Sequence, residues 1–334
     1  MKNQFFKIIS ILVLPMFIIV VLLGLSGCSN KQLEGVVFNT GFNVEGINQS
    51  ERSLIEQRLN DLESTLSAND FYSNSELNKI NQASKGTKIN IGNDFKHLFN
   101  VSKEINEDFK SFNPSVYPLV EKWKFNYEFV KDYLPNEEDI PSKEDIDKLL
   151  PICSLEYFNL NQDYIVKSVS EAKLDFGAIA KGYAVDEIFN IIESKNKVVN
   201  IGGTIKSKKS IDVEVLHPRN SNKTFAKVNV EDEAIATSGD YNRYYYFEGK
   251  RYHHIIDPSN GYPTGFYNNN PVISATVVGP SAEICDALST VFMIESKENI
   301  EKALKNKKFK DYSALLIYKD ETYFTLGDKV FDVY

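Results

Sequence analysis

Two short stretches carry residues whose types and spacing suit anion and cation chemistry. In LDFGAIAKGYAVDEI, residues 174–188, a hydrophobic run meets Asp175 and then passes Gly177, Ala178, Lys181 and Gly182 into a helical pattern. Glycine lets backbone come close to a ligand, and a helix start presents unpaired N–H groups that favour phosphate. On that reading the stretch is a phosphate cradle. A strand-to-helix turn that needs glycine only for its shape fits equally well, and the spacing matches neither GxGxxG nor GxxxxGKS. In SAEICDALSTVFMI, from Ser281, Asp286 and Thr290 are four residues apart, so they share a helical face one turn apart. Carboxylate and hydroxyl oxygens suit Mg2+, which takes few protein ligands and fills its octahedron with water and substrate phosphates. Asp and Thr at this spacing also cap or solvate helices without any metal.

The elements that must hold these groups are legible in outline. A strand near GVVFNTGFNVEG precedes a helix in ERSLIEQRLNDLESTLS, where Leu54, Ile55, Leu59, Leu62 and Leu66 recur at helical spacing. The acidic, proline-punctuated segment from Tyr133 to Leu149 reads as a surface loop running into a short helix. Strand-like runs follow in DYIVKSVS, KVVNIGG, IDVEVLHP, TFAKVNV and VISATVVG, alternating with helices after Gly177 and from Ser281. No fixed-period repeat and no Gly/Ser or Pro-rich linker divides the chain, which predicts a single α+β domain with mixed β-sheets and packed helices.

Composition bounds the partners. The 334 residues are 42% hydrophobic with a formal net charge of −8, which speaks against a nucleic-acid surface, since phosphate backbones are bound by concentrated Lys and Arg. The first thirty residues place Lys2 and Lys7 before a long apolar run ending in Leu25-Ser26-Gly27-Cys28, a secretory signal with the small-residue ending of a bacterial lipoprotein. The run is long enough to suit an uncleaved anchor too, and either reading puts the body outside the cytoplasm. The expected organisation is a signal peptide over 1–27, a tether over 28–34 lipidated at Cys28, and one domain over 35–334. Cys153 and Cys285 could pair in an oxidising compartment, but Cys285 sits in an apolar helical pattern and reads as a small buried hydrophobe.

Five ordered blocks, DFGAIAKGYAVDEI, VNIGG at 199–203, ATSGDYNRY, HIIDPSNGYP and DALST at 286–290, resemble those of the ApbE family of FAD:protein FMN transferases. Weaker similarity in FNPSVYPLVEKWKF, SELNKIN and FNTGFNV extends the resemblance over almost the whole mature chain. It implies an ApbE-like fold in which Asp175 and Lys181 lie at the flavin dinucleotide and Mg2+ is held by the Ala178 carbonyl with Asp286 and Thr290. It also implies His254 as the catalytic histidine, Ile255 beside the flavin, Asp257 and Gly261 in the following turn, and Phe38, Phe71, Trp123 and Phe125 near the cofactor. The implied reaction is Mg-dependent transfer of FMN from FAD to a Ser or Thr hydroxyl of an extracytoplasmic target protein, with AMP released. The chain departs from the family pattern at Thr204, Tyr117 and Asn260, and none of these is expected to touch the proposed metal ligands.

Of the four histidines, His97 and His217 lie in stretches that read as packing or surface, and His253 alternates to the opposite side of an extended segment from His254. A neutral imidazole at His254 can accept a hydroxyl proton or position the diphosphate. The string nearest to an acceptor, TSGD at 237–240, lacks the receiving Thr, so a separate target protein is expected. An FAD pyrophosphatase with the same metal site, or a non-catalytic FAD-binding lipoprotein, are the rival readings.

Overall fold

The computed structural model describes residues 31–68, 72–126 and 134–334. Among these, the early part holds strands β1 (Gln32–Val37) and β2 (Thr40–Glu45), helices α1 (Gln49–Leu66) and α2 (Glu76–Gln82), β3 (Lys88–Asn90), α3 (Asn93–Asp108), α4 (Tyr117–Lys122) and α5 (Lys143–Leu149). Next come β4 (Phe158–Leu160), β5 (Tyr164–Lys167), α6 (Ala180–Ile191), β6 (Val198–Ile201), β7 (Thr204–Ser207), β8 (Ile211–His217), β9 (Asn220–Val230) and β10 (Glu233–Gly239). The chain continues through β11 (Tyr244–Phe247), β12 (Lys250–His253), β13 (Val272–Gly279), α7 (Ala282–Phe292), α8 (Lys297–Leu304), β14 (Ser313–Tyr318), β15 (Tyr323–Leu326) and β16 (Asp332–Val333).

An eight-stranded antiparallel sheet in the order β1-β2-β6-β7-β10-β13-β14-β15 forms the centre. Every residue of β13 is buried, as its unbroken apolar run requires when both sheet faces are covered. Alternation along β10 and β14 explains how. Ala234, Ala236, Ala314 and Leu316 face the main core with α6 and α7, whereas Ile235, Leu315 and Ile317 face a second core closed by the β8–β9 hairpin. This is the expected α+β fold in one continuous domain.

Two local features differ from the sequence expectation, and the cysteines follow it. The single strand expected near residue 40 is a hairpin, because Phe38 and Asn39 take φ of +50° and +58° and turn the chain back between β1 and β2. Strand β1 starts at Gln32 and buries Leu33, so residues 32–34, assigned above to the tether, belong to the sheet. Cys153 and Cys285 are both buried free thiols; the Cys285 thiol donates to the Ala234 carbonyl at 3.6 Å, as befits a small core residue.

Candidate active site

The site forms where α6 meets α7. A Cβ on Gly182 would lie 2.2 Å from the Ala282 carbonyl oxygen, so only glycine allows the two helices to approach this closely. The approach brings the Gly182 amide to 3.0 Å from Asp286 Oδ2. In a continuous helix that amide would bond the carbonyl four residues back, at Ala178. Among the described residues the Ala178 carbonyl accepts no hydrogen bond. Lys181 completes the arrangement: its ammonium lies 3.3 Å from each Asp286 oxygen and donates to the Gly177 carbonyl at 3.1 Å.

Asp286 is 4% exposed, and a carboxylate so buried persists only with partners such as these. One helical turn on, the Thr290 hydroxyl is 3.1 Å from that of Ser238 in β10, which is also 2.8 Å from Ser289. The chain thus offers a carboxylate and a hydroxyl from α7 and a carbonyl without a donor from the turn that leads into α6, all hard oxygen donors. Their chemistry fits Mg2+, and no cluster of three or more His, Cys, Asp or Glu suited to a softer metal occurs among the described residues.

Four of the amides at the start of α6 already have partners. Gly177 donates to Asp175 Oδ1, Ile179 and Ala180 both donate to the Phe176 carbonyl, and Gly182 donates to Asp286. Among the described residues the Ala178 and Lys181 amides donate no hydrogen bond, so the backbone available to the expected phosphate cradle narrows to these two, beside a Lys181 ammonium tied to Asp286 and the Gly177 carbonyl. Gly177 also serves the turn itself, since a Cβ there would meet Asp175 Oδ2 at 3.0 Å.

Asp175 and His254 lie within the field of the same two cations, Arg243 and Lys181. Burial raises the Asp175 carboxyl from its usual range, and the Gly177 amide, Arg243 and Lys181 pull it back down. Burial drives the His254 imidazole well below its ordinary value, with Arg243 and then His253 adding to the effect. His254 Nδ1 sits 3.2 Å from the Arg243 carbonyl, which can only accept, so Nδ1 carries the proton and Nε2 is left with its lone pair. Arg243 was not singled out from the sequence; the signal available was a cation inside the ATSGDYNRY block.

Other expected site residues separate. Ile255 is buried against the main core, and Phe38 is half-buried in the β1–β2 turn. Trp123 and Phe125, expected near the cofactor, are both 0% exposed: Trp123 donates to the Gly261 carbonyl at 2.9 Å and stacks on Tyr252, while Phe125 stacks on Tyr245. They build the packing beneath the HIIDPSNGYP loop and present no surface of their own. Phe71 lies outside the described residues, as does Cys28. Thr204, a departure from the family pattern not expected to touch the metal ligands, in fact places its hydroxyl 3.5 Å from Asp286 Oδ1.

Comparison with known proteins matches residues 37–316 to the ApbE family. An FAD:protein FMN transferase of Vibrio cholerae is 28% identical over 302 residues, 83% of this chain and 86% of that protein. Another, from Haemophilus influenzae, is 28% identical over 85% of this chain and 87% of its own length. The crystal structure of the ApbE protein of Thermotoga maritima superposes with a TM-score of 0.75 at 25% identity, covering 88% of this chain and 96% of that one.

Proposed function

The chain belongs to the ApbE family, and from that premise we propose that it is an FAD:protein FMN transferase that moves FMN from FAD to a Ser or Thr hydroxyl on a separate extracytoplasmic protein. The convergence of Lys181 and the Gly182 amide on Asp286, beside an Ala178 carbonyl without a donor, carries this reading. Ala178, Asp286 and Thr290 would hold Mg2+, whose charge would offset that of the FAD diphosphate. Lys181 adds a tethered cation to the same turn, and Arg243 a second near Asp175 and His254. Phosphoryl transfer depends on such in-line placement and charge neutralisation more than on covalent help from the protein.

In the step proposed, the acceptor oxygen forms a bond to the phosphorus on the FMN side, the anhydride P–O bond breaks, and AMP departs with the electron pair. The hydroxyl proton passes to His254 Nε2, which the Nδ1 contact leaves as an acceptor. FMN remains joined to the target through a phosphoester. Incubation with FAD, Mg2+ and a candidate acceptor tests this: flavin should stay on the acceptor through denaturation with AMP released in equal amount. AMP and free FMN appearing at the same rate with or without acceptor would make the chain an FAD pyrophosphatase, and FAD bound without AMP release would make it a carrier.

The site would work outside the cytoplasm, at a membrane surface. Cys28 at the end of the apolar signal supports lipidation and a lipid-anchored lipoprotein. Cys28→Ser should abolish labelling by a metabolically supplied fatty acid, and label retained on that variant would exclude Cys28 as the modified residue.

A further inference from the structure

Lys167, the last residue of β5, is 1% exposed, and its ammonium donates to three backbone carbonyls: Asn81 at 2.9 Å, Ser170 at 2.8 Å and Ala172 at 2.9 Å. An ammonium has three donors, and one this far from water persists only when they are paired. Asn81 lies in the last turn of α2, where carbonyls lack helical partners and carry the negative end of the helix dipole. The Asn81 side chain then grips Leu174 on both backbone groups, donating from Nδ2 to the carbonyl at 2.8 Å and accepting from the amide at Oδ1 at 2.8 Å.

These bonds act on a segment without regular secondary structure. Residues 172–176 belong to no strand or helix, so their backbone groups need partners from elsewhere in the fold. Lys167 satisfies the carbonyls of Ser170 and Ala172, Asn81 satisfies both groups of Leu174, and the Pro114 carbonyl accepts from the Asp175 amide at 2.9 Å. Lys173 is tied to Glu121 at 2.6 Å on the other side. The next residues are Asp175, Gly177 and Ala178 of the candidate site.

We propose that Lys167 and Asn81 form a buried clamp that holds the segment entering the site in its FAD-binding conformation before FAD arrives, which makes Lys167 a positioning residue outside the site itself. The inference rests on the transferase reading above. A pre-ordered segment bears its ordering cost during folding instead of during binding, so loss of the clamp weakens FAD binding more than it slows the bound complex.

The test uses the full chain in detergent. In Lys167→Met, amide hydrogen exchange over residues 170–177 should rise, and the KM for FAD should increase about tenfold while kcat at saturating FAD stays within about threefold, the pattern for lost ground-state binding. Asn81→Ala should give the same split and serves if Lys167→Met does not fold. Leu62→Ala, a core truncation in α1, controls for general destabilisation. Raised exchange with unchanged KM, or the same rise in KM in Leu62→Ala, would overturn the clamp. Wild-type protein that binds no FAD would overturn the transferase reading instead.

Discussion

The amide of Gly182 and the carboxylate of Asp286 are joined at 3.0 Å across the α6–α7 contact, although 104 residues separate them. The bond takes the Gly182 amide away from the Ala178 carbonyl and ties it to a buried carboxylate. One glycine therefore sets both the spacing of the helices and the oxygen donors between them.

Asp286→Asn preserves shape and the acceptor for Gly182 but removes the charge. Transfer should fall by about a thousandfold, the scale on which a charge-stabilising element acts in phosphoryl transfer. AMP release measured under saturating FAD and Mg2+ checks this, with circular dichroism to confirm the fold. A variant retaining more than about a tenth of wild-type turnover would contradict a metal-centred site.

Gly182→Ala adds a Cβ that cannot fit 2.2 Å from the Ala282 carbonyl, so α6 and α7 must separate. Overpacking of this kind costs about 1–3 kcal/mol, which denaturant unfolding would register as a lower midpoint with an unchanged slope. Activity should be lost together with divalent-cation binding, because the same movement pulls Gly182 from Asp286.

His254→Ala should slow transfer by about a hundredfold or more, within the range for general-base catalysis, and change FAD affinity much less. Because burial and Arg243 hold the imidazole well below its ordinary value, His254 stays neutral at neutral pH. The pH profile should accordingly lack an acid limb centred near 6.5, the ordinary histidine value. A limb there that vanishes in His254→Ala would show that the imidazole titrates normally.

His253 gives stability a pH dependence of definite sign. It is buried, donates from Nε2 to the Thr264 carbonyl at 2.9 Å, and burial depresses its pKa. The unfolded chain then binds more protons than the folded one as pH drops below about 6.5, so this contribution is complete above that value and is lost as pH falls through the folded pKa. Thermal unfolding followed from pH 7.5 to 5 should show falling Tm, and His253→Gln should flatten the curve. An unchanged slope in that variant would assign the effect to other groups.

The sequence by itself determined the elements and much of the chemistry they carry. Asp286 and Thr290 at one-turn spacing, the apolar run of β13 and the small-residue turn at 177–182 are local patterns, written in periods of 3.6 and 2 that any reader of the chain can recover. Tertiary structure alone decided which groups meet. Gly182 is needed for the close approach of another helix, Trp123 and Phe125 are packing, Thr204 reaches Asp286, and Lys167 with Asn81 governs a segment 93 residues from Asn81. The reason is physical: periodicity tells which face of an element is apolar, but the partner of that face is chosen by sheet order and by close packing between elements distant in sequence.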